Sequence, residues 1–143
     1  MNKKFLLAAL VGTIVLLLLN AIIYVVFLKD FFQNHPAVSP EFMKQLNRQD
    51  DQIIWWAVAL SSVAIGFLVT TVLQWSGART FVSGLKSGFI FAFLFLCAID
   101  FGLFATSNFF SEVSVFIDMI CGTVAITIAG AVVAWMLGRG KTT

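Results

Sequence analysis

Between Phe5 and Leu28 the chain carries no charged residue, and the same holds between Ile53 and Trp75. Gly88 to Asn108 is interrupted only by Asp100, and Val113 to Leu137 only by Asp118. A helix needs about 20 predominantly apolar residues to cross the hydrocarbon of a bilayer, so each of these four stretches is long enough. The alternative, burying them all in a water-soluble core, fails on scale. The chain has 143 residues, of which 60% are hydrophobic and only 11% charged, where a soluble domain carries about 25% charged residues. So short a chain cannot enclose that much apolar surface by itself. Strands are excluded as spans because no alternation of apolar and polar residues supports a closed barrel.

The expected fold class is therefore an all-α membrane protein: a single domain, an antiparallel bundle of four transmembrane helices at about 5–28, 53–75, 84–108 and 113–137. The first apolar run, behind Lys3 and Lys4, far exceeds the roughly 7–15 residues of a signal-peptide core and has no small-residue cleavage pattern after it; it is expected to stay. Orientation follows from the basic residues of the short loops. Lys3, Lys4, Arg79, Lys86, Arg139 and Lys141 fall on one side; Lys29, Lys44 and Arg48 fall on the other, among the acids Asp30, Glu41, Asp50, Asp51 and Glu112. Six against three puts both termini in the cytoplasm and the 29–52 loop outside.

Local signals sharpen the connections. Ser39-Pro40-Glu41 reads as an N-cap, a proline at the first helical position and an acid suited to the helix dipole. Phe42, Met43 and Leu46 then share one face of a short amphipathic helix. Thr80 reads as an N-cap that starts the third helix ahead of its apolar stretch. On that helix Gly84, Gly88 and Ala92 form a small-xxx-small ladder, matched by Gly122, Ala125 and Ala129 on the fourth; such ladders let helices approach closely. The short turn after Asn108 makes these two helices antiparallel neighbours.

The polar residues inside the spans are few. At about 1.5 Å per residue, Asp100, Asn20, Ser61 and Ser62 reach similar depths in the outer half, with Asp118 and Tyr24 shallower. Asn20 and Tyr24 are four apart and share a face, and Asp118 is expected about one helical turn from Asp100. Intramembrane acids are costly, face protein and find partners. Two readings follow. In the first, Asp100 bonds to Asn20, Ser61 or Asn108 and ties helices together, and the protein packs or assembles through its polar residues without catalysing a reaction. In the second, Asp100 and Asp118 serve a small proton- or cation-coupled transporter or channel subunit.

Catalysis has no visible basis: no serine elbow, phosphate loop, dinucleotide fingerprint or zinc-ligand set is present. Cys97 and Cys121 lie in apolar runs and His35 is the single histidine, so no metal or other cofactor is expected. Nor does any helix interleave basic and aromatic residues as nucleic-acid binding requires. The expected partners are the lipid bilayer and either a second copy or another membrane protein.

The stretches IDFGLFATSNFF (Ile99 to Phe110) and IDMICG (Ile117 to Gly122) resemble the small four-helix bacterial membrane proteins grouped as domains of unknown function. LLNAIIYVVFLKDFF (Leu18 to Phe32) and TFVSGLKSG (Thr80 to Gly88) are similar to that group's first helix exit and inner loop. The likeness covers most of the chain outside Gln33 to Gln52. It implies an integral protein of the bacterial inner membrane with Asp100, Asn108, Asp118 and Gly122 at family-like positions. Related patterns have a tyrosine and a tryptophan where this chain has Ile99 and Cys121. The resemblance implies no known activity.

Overall fold

The computed structural model describes residues 2–48 and 50–139. Among the described residues all regular structure is helical, and four helices are long and apolar enough to cross a membrane. They are α1 (Lys3–Asn34), α3 (Trp55–Trp75), α4 (Phe81–Thr106) and α5 (Glu112–Gly138), with the short α2 (Pro40–Leu46) between the first two. The 21 residues of α3 span about 31 Å, the thickness of a hydrocarbon core. Trp55 and Trp56 stand exposed at one end of α3 and Trp75 at the other, as side chains that prefer the membrane–water boundary do.

The helix ends are set by side chains. Thr80 Oγ1 accepts from Ser83 N while Ser83 Oγ accepts from Thr80 N, a reciprocal cap that starts α4 ahead of its apolar run. Ser39 accepts from Phe42 N at the head of α2, with Pro40 in the first turn. Ser111 accepts from Ser114 N and opens α5. The α3–α4 turn passes through Gly77 at φ 71°, a left-handed conformation that side chains disfavour.

The first helix differs from its expected extent. It continues past Leu28 to Asn34 through a π-helical turn at Tyr24–Leu28. Its extension docks on the turn between α4 and α5. The hydroxyls of Ser111 and Ser114 both donate to His35 O, at 3.0 and 3.1 Å. Phe32 meets Phe110, and the His35 ring stacks on Phe31. Those contacts extend helical order into the region expected as loop.

Packing singles out α5. It lies against α4 along most of its length and also touches α1 and α3, while α4 has its main contact with α5 alone. Half of the apolar window of α5 is buried, against 17% for α4. Composition explains this: Gly122, Ala125, Ala129, Gly130, Ala131 and Ala134 give α5 a slender waist, so neighbours can close on several of its sides. The core contains Ala8 and Leu16 of α1, Val69 and Leu73 of α3, Ala92 of α4, and Ile126, Ala129, Val133 and Ala134 of α5.

Gly84 and Gly88 of α4 face α5. A Cβ on Gly84 would come within 2.6 Å of Ala134 Cβ and 2.7 Å of Gly130 O. At Gly88 the nearest atoms would be Thr127 Cα and O at 3.5 Å. Gly122 faces α4, where a Cβ would meet Leu96 Cδ1 at 2.7 Å. Two glycines that sequence reading passed over also mark close contacts: Gly12 of α1 lies against Val133 of α5, and Gly66 of α3 against Thr13 of α1.

Candidate intramembrane site

Asp100 lies six residues before the end of α4, and Asp118 six residues after the start of α5. The two helices run side by side from a short turn, so equal distances from it put the carboxylates at one depth, about 9 Å from the helix ends. Asp118 lies within electrostatic range of Asp100.

Asp100 is 4% exposed and therefore covered by protein. Its Oδ2 has no hydrogen-bond partner among the described residues. Leaving a buried polar oxygen unbonded costs about 1–3 kcal/mol, and more if it is charged. A structure that keeps such a group at this depth carries the cost in every folded molecule.

Asp118 is half-buried and lines a cavity of about 200 Å³. All four long helices contribute to that cavity: Leu16, Asn20 and Leu28 from α1, Ile65 from α3, Leu96 from α4, and Asp118 with Gly122 from α5. The π-helical turn matters locally, because Leu28 ends it and is buried at the cavity edge. Such turns interrupt a helix with an extra residue and are frequent beside functional sites.

Asn20, Asp118 and Gly122 are thus brought to one cavity, with Asp100 alongside on the neighbouring helix. Ser61, Tyr24 and Asn108 stand elsewhere. Ser61 is exposed and donates to Val58 O of its own helix. Tyr24 is 52% exposed, and Asn108 lies exposed in the turn after α4. The bond expected from Asp100 to Asn20, Ser61 or Asn108 is not among the side-chain bonds formed, and Asp100 Oδ2 stays unpaired. Depth groups Ser61 with Asp100, and rotation about the helix axes separates them.

Sequence reading missed Thr123 and Thr127 on α5. Their hydroxyl oxygens are buried and unbonded among the described residues. This sets them apart from Thr13, Thr70, Thr71 and Thr106, each of which donates to the carbonyl four residues back, the usual resort of a threonine in an apolar helix. Thr127 packs beside Gly88 on the α4 side. A pair of threonines four apart, on the same helix as an intramembrane acid, was the signal available in the sequence.

Among the described residues no three His, Cys, Asp or Glu side chains group closely enough to hold a metal ion. Comparisons with protein-family models, with curated proteins and with solved structures return no significant match to this chain.

Proposed function

We propose that this chain is a non-enzymatic, multi-pass protein of the bacterial inner membrane, an antiparallel four-helix bundle in which Asp100 and Asp118 form a proton- or cation-accepting pair. The observation that carries the reading is the burial of Asp100 with an unpaired carboxylate oxygen. If the polar residues served mainly to join helices, their bonds would link one helix to another. Within the spans Ser61, Thr13 and Thr70 instead bond back to their own helices. The bonds of Ser111 and Ser114 to His35 join only the helix ends, and the close helix contacts run through glycine, alanine and threonine. Two carboxylates in a medium of low dielectric constant resist ionising together, and a single positive charge between them removes the conflict. Coupling to a proton or a cation is therefore the chemistry this pair suits best.

The test is proton uptake into proteoliposomes under an imposed pH gradient. Wild-type protein should support uptake above that of empty vesicles, and Asp100→Asn and Asp118→Asn should each abolish it while melting as the wild type does. Equal uptake by all three proteins would remove the reading.

Orientation belongs to the same proposal: both termini in the cytoplasm and α2 outside, on the six-to-three distribution of basic residues. With Cys97 and Cys121 replaced by alanine, a cysteine introduced at Ser39 should react with an impermeant maleimide in intact cells. Reaction only after permeabilisation would invert the topology.

A further inference from the structure

The cavity beside Asp118 has a lining that selects among positive charges. Its wall is apolar by a modest margin: Leu16, Ile23, Leu96 and Ile126 are among its residues, and its polar side chains are those of Asp118, Asn20 and Cys121. Among these residues none is basic, so Asp118 has no counter-ion in the wall. A small inorganic cation requires a shell of several oxygens to replace its water, and among the lining side chains only Asp118 and Asn20 carry oxygen. An organic cation with an apolar body has the opposite needs. Its body replaces lipid or water against the aliphatic wall, and its ammonium group needs one carboxylate and a neighbouring acceptor.

Size agrees with that choice. An apolar cavity of about 150 Å³ in an unrelated protein takes up benzene; the cavity here, about 200 Å³, has room for one aromatic ring and a short ammonium arm. We infer that it binds a small lipophilic amine in its protonated form, with the ammonium between Asp118 and the Asn20 side-chain oxygen and the apolar body between α1, α3 and α5. This rests on the proposed role of Asp118 as a charge-accepting group and names the class of cation it accepts. No covalent step is involved. The second carboxylate, Asp100, adds negative potential to the same depth and so favours the bound cation over a neutral molecule of equal shape.

The test uses the full chain in lipid nanodiscs and calorimetric titration, with empty nanodiscs as the blank for partition into lipid. Benzylammonium is the probe and benzyl alcohol its neutral counterpart of similar shape. Benzylammonium should bind saturably at one site per chain, and benzyl alcohol about thirtyfold more weakly or not at all, the ratio expected when a buried charge pair is lost. Asp118→Asn should reduce benzylammonium binding by a similar factor, and Asn20→Leu by a smaller one. The two ligands are compared on unaltered protein, so a variant that fails to fold does not remove the test. Equal affinity for benzylammonium and benzyl alcohol would overturn the inference, as would full affinity in a folded Asp118→Asn protein. Proton uptake that depends on Asp100 and Asp118, in a protein that binds no benzylammonium, would overturn the amine site and leave the proton reading in place. Saturable benzylammonium binding without such uptake would uphold the site and end the proton reading.

Discussion

At the end of the α4–α5 contact near Gly84, backbone meets backbone. Gly84 lies against Gly130 O, Ala131 and Ala134, with no room for even one added carbon. Toward the other end, where Asp100 and Asp118 stand, the same two helices bury an unpaired carboxylate oxygen and border a cavity of about 200 Å³. The first region gains stability by close packing, with many small dispersion contacts and little side-chain entropy to lose. The second gives stability away, since a void forfeits contacts and an unbonded buried oxygen costs free energy. One helix pair thus serves as fastening at one end and as a candidate site at the other, and proteins break the rules of good packing most readily where they act.

Substitutions can break or sharpen that contrast. The largest effect is expected at Gly84. Leucine there must displace backbone atoms of Gly130 and Ala131, so Gly84→Leu should destabilise the protein by about 3 kcal/mol or more, read as a large fall in melting temperature in detergent. Melting within a degree or so of wild type would mean that the fastening lies elsewhere. Gly122→Ala is intermediate. Its new methyl group meets the flexible tip of Leu96, and both residues border the cavity, so Leu96 can swing aside at a cost under about 1 kcal/mol. A loss as large as that of Gly84→Leu would show the cavity end to be as rigid as the tight end. The smallest effect is expected at Gly88, where a Cβ would make only ordinary contacts at 3.5 Å. Alanine also favours the helix over glycine by roughly 0.5–1 kcal/mol, so Gly88→Ala should melt at or slightly above wild type. A marked drop there would extend the tight region one turn further along α4.

Much of this was legible in the sequence. The four apolar stretches, the caps at Ser39 and Thr80 and the facing small residues of α4 and α5 are all written in local patterns. So is the nearness of Asp100 and Asp118, because a short turn makes the helices it joins neighbours. The apolar spans put Asp118 shallower by about a turn, whereas the observed helix ends put both acids six residues in. Rotation about the helix axes was not legible. A soluble helix announces its buried face by its polar opposite face, whereas these helices are apolar all round and leave no such stripe. Ser61 therefore matches Asp100 in depth while standing exposed on another face. The central position of α5 did leave a trace in its run of small residues, which fits a helix with neighbours on several sides. The π-helical turn at Tyr24–Leu28 had no signal in YVVFL, and the extension to Asn34 depends on distant partners, Ser111, Ser114 and Phe110.

The central claim is that Asp100 is kept at a cost to stability and does not hold the helices together. The melting temperature of Asp100→Leu tests it most directly, because leucine has the same branched skeleton as aspartate, with bulkier methyl groups in place of the oxygens, and no polarity. Replacing a buried polar group that lacks a partner with an apolar one of similar shape is neutral or stabilising, so Asp100→Leu should melt at or above the wild-type temperature. A fall comparable to that of Gly84→Leu would contradict the account, because it would mean that the Asp100 carboxylate fastens the helices together.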